Sequence, residues 1–115
     1  MRNLLKVFKA LSDETRLRII NVLMVQECCV CEVMQALDIS QSRSSRNLGI
    51  LHDAGLIESK RDGVWTVYFI DEASSALFLS QLVSIVKDGL KDNPQSIEDI
   101  ERLKSAERIG PGCSR

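Results

Sequence analysis

The sequence predicts a mainly α-helical domain carrying a single β-hairpin, and three observations predict it. Apolar residues recur at helical spacing through most of the chain, as in Leu4, Leu5, Phe8 and Leu11. Cap-forming polar residues and a glycine divide those runs into short helices. Between them lies one strand-forming run, Val64 to Phe69, directly after Asp62-Gly63. A chain of 115 residues suits one domain, or one protomer of a dimer, with a modest core.

The first helix ends at Ser12-Asp13-Glu14, where Ser12 reads as N-cap of a second helix with acidic residues in its first turn. That helix carries Leu17, Ile20, Val22, Leu23 and Met24. A short third helix holds Val30, Val33, Met34 and Leu37 and stops near Asp38-Ile39. Ser40 then caps a fourth, "QSRSSRNLGILHDA", which Gly55 closes at its C-terminus. Two short helices separated by a few residues predict a helix-turn-helix. In the hairpin that follows, Asp62-Gly63 is expected to be the turn. A fifth helix runs from Glu72 to about Leu90 and is too apolar for one stripe, so it buries a second face. Asp92-Asn93-Pro94 ends it, Ser96 is expected to cap a short polar helix through Ala106, and "GPGCSR" reads as a loose tail. The expected division is 1–95 for the main domain, then 96–115 for a short helix and flexible tail with Cys113.

A helix-turn-helix followed at once by a hairpin is the order of a winged helix, α-α-α-α-β-β-α. The segments "ALSDETRLRIINVL", "ECCVCEVMQALDISQSRSSRNLGILHDAGLI" and "SKRDGVWTVYFI" together resemble the ArsR/SmtB family of metal-sensing winged-helix repressors over roughly residues 4–70. Within it, Cys29-Val30-Cys31-Glu32 is similar to the "CVCD" box of the arsenic-sensing members. The resemblance implies a DNA-binding repressor involved in arsenic resistance, not an enzyme.

Net charge is −1, with nine Lys/Arg against eight Asp/Glu over residues 1–70 and six against eight thereafter. Charge therefore neither suggests nor excludes DNA, and local pattern must decide. In the fourth helix Leu48 and Leu51 face inward, while Gln41, Ser42, Arg43, Ser45 and Arg46 occupy the first turn and a half. Short polar and Arg side chains there can reach base edges when the N-terminal end of a recognition helix enters the major groove. The resemblance extends this role to Asn47, where a His is common, and departs again at Ser44, where a small apolar residue is usual. Lys60 and Arg61 near the hairpin turn would touch phosphate or the adjoining minor groove, and would also protect an exposed strand edge. His52 reads as a surface or packing residue and Trp65 as a packing residue of the hairpin.

Three of the four cysteines fall within four residues, Cys28-Cys29-Val30-Cys31. The chain has no apolar run long enough for a membrane span and no signal-peptide pattern, so a cytoplasmic location and reduced thiols are expected. Structural zinc would need two separated ligand pairs. A dithiol enzyme using Cys28 and Cys31 lacks the βαβ context of such sites. Capture of a soft, thiophilic ion remains, since thiolates are its preferred ligands. On a regular helix Cys29 and Cys31 point about 200° apart and Cys28 and Cys31 about 60° apart. A chelate using Cys29 and Cys31 is thus expected to unwind the start of the third helix. A helix N-terminus favours the thiolate, while Glu27 and Glu32 oppose it.

By resemblance the inducer is As(III) or Sb(III) held by three thiolates, with no permanent cofactor. A third cysteine is often found where Met34 stands here, so the third thiolate would be Cys28 or Cys113. The family's Asp/His metal site on the fifth helix has no counterpart, because residues 72–91 contain no His. The apolar excess of helices one and five predicts a homodimer, and the resemblance implies dimerisation through those helices. The expected function is an operator-binding repressor released by the metalloid. The alternatives are another soft metal ion, thiol redox state, or a thiol-disulfide enzyme.

Overall fold

A computed structural model of the chain describes residues 1–71 and 77–109. The elements are α1 (Arg2–Leu11), α2 (Glu14–Val25), β1 (Cys28–Cys29), α3 (Val30–Leu37), α4 (Gln41–Asp53), β2 (Glu58–Asp62), β3 (Trp65–Phe69), α5 (Leu77–Leu90) and α6 (Pro94–Leu103). This is the predicted winged helix with one addition, a two-residue strand before α3; the short helix expected after the fifth is α6, which packs on α2 and α3. The start of the fifth helix expected at residues 72–76 lies outside the described residues.

Local chemistry explains most boundaries. The Ser40 hydroxyl accepts the Arg43 amide at 3.2 Å and caps α4, as expected. The other two caps fall on neighbouring residues. Asp13, rather than Ser12, caps α2 by accepting the Arg16 amide, and the Ser12 hydroxyl donates back to the Phe8 carbonyl at the end of α1. Asn93, rather than Ser96, caps α6, with Pro94 at its first position. Proline has no amide to satisfy there and its φ suits a helix. The 95/96 division consequently falls inside the first turn of α6. Asp38 takes φ 56 to end α3, and Gly55 takes φ 80 after α4.

The hairpin turn also shifts by one residue. Asp62 pairs with Trp65, which leaves Gly63 and Val64 as the loop. Of the two only Gly63 has positive φ, the pattern of a type II′ turn, which puts glycine at the first loop position.

The three-stranded sheet has the order β1-β3-β2, all antiparallel, with Cys28 opposite Tyr68 and Cys29 opposite Val67. Ile19, Ile20, Val22, Val33, Leu37, Leu48, Leu51, Leu56 and Ile57 form the core beneath the helix-turn-helix. Arg16 braces that unit across elements. It donates to the Ala10 carbonyl at the end of α1 (2.6 Å) and to Asn47 Oδ1 on α4 (2.9 Å).

A second brace holds α6. Asp99 is fully buried and accepts two bonds from Arg18 at 2.8 Å, one from Arg102 at 3.0 Å and one from Gln95 at 3.0 Å. The same two arginines donate to the Leu37 and Ala36 carbonyls, the last of α3. Helix α6 is thereby tied to the end of α3, directly before the turn that leads into α4.

Candidate thiol site and DNA-binding face

Two residues of strand separate the three clustered cysteines into two environments. In a strand, successive side chains point to opposite faces. Cys28 accordingly enters the main core, beside the elements that hold Ile57 and Tyr68, and its Sγ lies 3.5 Å from the Gln26 carbonyl. Cys29 faces the other way. It is the N-cap of α3, with extended φ −83 and ψ 173, while Cys31 lies in the helix's first turn. Their sulfurs stand 2.9 Å apart and both residues are 1% exposed.

This geometry corrects two expectations. The opposed directions of Cys29 and Cys31 hold only if both lie within a regular helix. Because Cys29 is the cap, the sulfurs converge with α3 intact, and no unwinding is required to bring them together. Conversely, Cys28 and Cys31 share no face, so the C-x-x-C dithiol pairing is not formed. Among the described residues no group of three or more His, Cys, Asp or Glu side chains is placed to hold a metal ion. Position 113 lies outside the described residues. Cys31 is disulfide-bonded in this structure, where reduced thiols were expected throughout.

The pair is enclosed. Trp65 of β3 and Ile109 pack against it. The Ile109 amide donates to Cys31 Sγ at 3.2 Å and its carbonyl accepts the Trp65 indole N–H at 3.4 Å. Glu32 closes a capping box on the Cys29 amide at 3.0 Å. Arg108 donates to Glu32 at 3.3 Å and to Asp62 on the hairpin at 2.6 Å, and stacks over the Trp65 ring at 5.6 Å. Gln35 and Glu107 exchange bonds of 2.6 and 3.0 Å. Trp65 is thus part of the thiol site as well as a packing residue. No local pattern in the sequence marks residues 107–109 for this role, because their partners are 44 to 78 positions away.

Burial sets the thiol electrostatics. Desolvation raises the Cys29 thiol despite bonds that favour its thiolate, so the balance opposes the ionised form. Desolvation, with Glu32 and Cys29 adding, pushes Cys28 up to about 12. The folded state therefore keeps a proton that the unfolded chain releases near pH ~8.5. Stability from Cys28 is complete below that value and is lost as pH rises toward about 12. Urea midpoints for wild type and Cys28→Ala are expected to converge as pH rises from 8 to 10.5. A constant gap between the two would contradict the raised thiol.

On the other face, Gln41, Ser42, Arg43, Ser45 and Arg46 are exposed along the start of α4. Arg43 also donates to the Thr15 hydroxyl at 2.9 Å, which orients it. Ser44 is buried and donates to the Ser40 carbonyl at 2.9 Å, so its hydroxyl is satisfied within the helix. Asn47 departs from the expected surface role. It is 6% exposed, with its oxygen held by Arg16 and its amide donating to the Arg43 carbonyl. Lys60 and Arg61 are exposed on β2, Lys60 paired with Glu27 at 2.9 Å and lying 5.1 Å above the Phe69 ring. His52 is exposed on α4 and stands edge-on to Tyr68, a surface position with one ring contact.

Residues 13–59 match the family described as "Bacterial regulatory protein, arsR family". The chain is 34% identical over 102 residues to the "Arsenic resistance transcriptional regulator ArsR1" of Pseudomonas putida, covering 88% of this chain and 76% of that protein. The chain belongs to the ArsR family. It is also 43% identical over 65 residues to the "Arsenical resistance operon repressor" of Escherichia coli, 56% of each chain. The chain spans little more than half the length of several curated relatives it matches, some of which are named as cadmium resistance regulators. Among solved structures it resembles the homodimeric winged helix-turn-helix domain of Mb0332 from Mycobacterium bovis, a possible ArsR-family regulator (TM-score 0.67, 26% identity, 81% of this chain and 82% of that one). The ArsR relatives are transcriptional regulators, not enzymes. No helix of the described residues is long and apolar enough to cross a membrane.

Proposed function

We propose that the protein is a cytoplasmic, homodimeric repressor that binds a palindromic operator and leaves it when arsenite or antimonite engages Cys29 and Cys31. The observation that carries this reading is the convergence of two buried sulfurs at 2.9 Å on the cap of α3, the helix that leads into the recognition helix. Soft trivalent ions select thiolates, and relatives named for arsenic resistance share the family. Dimerisation would use α1 and α5, which leave Leu4, Leu5, Phe8, Leu77, Phe78 and Ile85 exposed. A C2 pair would place two α4 helices about one DNA turn apart.

The DNA half of the reading is tested by salt dependence. Arg46→Ala and Lys60→Ala are each expected to weaken operator binding about tenfold and to lower the log–log salt slope by about two, because each substitution occurs twice in a dimer. An unchanged slope in both variants would place the contacts elsewhere. The closeness of the Cys29 and Cys31 sulfurs, 2.9 Å, favours a second reading in which thiol oxidation is the signal. Reduced protein titrated on operator with arsenite and with diamide separates them. Release by arsenite under reducing conditions supports the metalloid reading, and release by diamide alone supports the redox one.

A further inference from the structure

The sulfurs of Cys29 and Cys31 are covered by the chain's own C-terminal segment, and that cover is fastened to the DNA-binding parts. Residues 107–109 run across the two sulfurs, of which that of Cys31 is disulfide-bonded in this structure, and are held by Gln35 below and by Arg108 on either side. The Ile109 amide sits 3.2 Å from Cys31 Sγ, and both cysteines are 1% exposed. An ion cannot reach both sulfurs without displacing this segment. One fastening, Arg108 to Asp62, lies on the hairpin beside Lys60 and Arg61. The segment also continues from α6, whose Arg102, with the Arg18 held by Asp99, bonds the last carbonyls of α3.

We propose that residues 107–109 form a strap that closes the thiol site in the DNA-binding state, and that Arg108 is the positioning residue that latches it. This rests on the metalloid-release reading above and supplies its means of coupling. With the strap closed, Arg108 neutralises Asp62 and adds a cation to the wing. With the strap open, Asp62 stands as an unpaired carboxylate next to the residues that approach phosphate, and the wing loses attraction for DNA. Occupancy of the thiols and loss of operator affinity are then two readings of one displacement, which meets the requirement that coupling have a structural element both sites bias.

The test uses the full-length, reduced chain carrying Cys28→Ser and Cys113→Ser, so that only the paired thiols react with a disulfide reagent such as DTNB. Adding Arg108→Ala is expected to raise the labelling rate at least tenfold and to weaken operator binding at least threefold. Circular dichroism melting within about 3 °C of the parent shows that the fold is kept. Asp62→Asn, which removes the wing fastening and its charge together, is expected to raise labelling while leaving operator affinity intact. Labelling within twofold of the parent in Arg108→Ala would overturn the strap. In Arg108→Ala, faster labelling with unchanged operator affinity would overturn its link to the wing. Labelling involves neither arsenic nor DNA, so a failure of arsenite to release the operator from the reduced wild-type protein, alongside faster labelling in Arg108→Ala, would count against the metalloid reading alone.

Discussion

Asp99→Ala is expected to lower the unfolding midpoint by about 10 °C or more, measured at fixed protomer concentration because dimerisation contributes to stability. Asp99 is fully buried and receives four hydrogen bonds, two from Arg18, whose side chain is 13% exposed. Removing the carboxylate leaves a guanidinium buried without a counter-charge, a change that costs about 3–5 kcal/mol. Asp99 also holds Arg18 and Arg102 against the Leu37 and Ala36 carbonyls, so the end of α3 loses its support at the same time. Replacing Asp99 together with its more buried partner, as in Arg18→Met with Asp99→Leu, is expected to be milder than Asp99→Ala, since Arg102 keeps Glu98 and no charge is left unpaired. A melting shift below about 3 °C for Asp99→Ala would show that α6 is not fastened through this cluster.

Cys113→Ser is expected to raise the arsenite concentration needed for half-release of the operator at least tenfold, whereas Cys28→Ser should change it less than threefold. A trivalent ion held by thiolates needs a third sulfur beyond Cys29 and Cys31. Cys28 is directed into the main core by strand alternation, and its thiol is pushed up to about 12. The remaining cysteine of the four is Cys113, from the same chain or from its partner. Equal loss in the two variants, or loss in Cys28→Ser alone, would contradict the geometry of β1. Mixing Cys29→Ser with Cys113→Ser protomers distinguishes same-chain from cross-chain coordination, because only the latter restores one complete site per dimer.

The parts of this protein that were legible in its sequence are those decided by local chemistry. Ser40 and Gly55 bound the recognition helix because each supplies a group or a backbone angle that no neighbour could. Leu48 and Leu51 follow from helical periodicity. What escaped is set by contacts distant in the chain. The strand Cys28–Cys29 exists only because β3 pairs with it, and two residues carry no periodic signal of their own. Placing that strand before α3 brings Cys29 to Cys31 without the unwinding that a regular helix would demand, and turns Cys28 into the main core. Asn47 reads as a polar surface residue until Arg16, 31 positions earlier, turns it inward. The strap formed by Glu107, Arg108 and Ile109 is invisible for the same reason. Ser12 and Asp13, both competent caps, show the ordinary one-residue ambiguity at a helix start.

The central claim is that the paired sulfurs control DNA occupancy. The most direct measurement is fluorescence anisotropy of a labelled operator duplex, titrated with arsenite in the presence of reduced wild type or Cys31→Ser. Both proteins are expected to bind the operator with similar affinity; arsenite should return the anisotropy to that of free DNA for wild type, while the variant stays bound. Retention of the wild-type complex at saturating arsenite, or equal release of the variant, would contradict it.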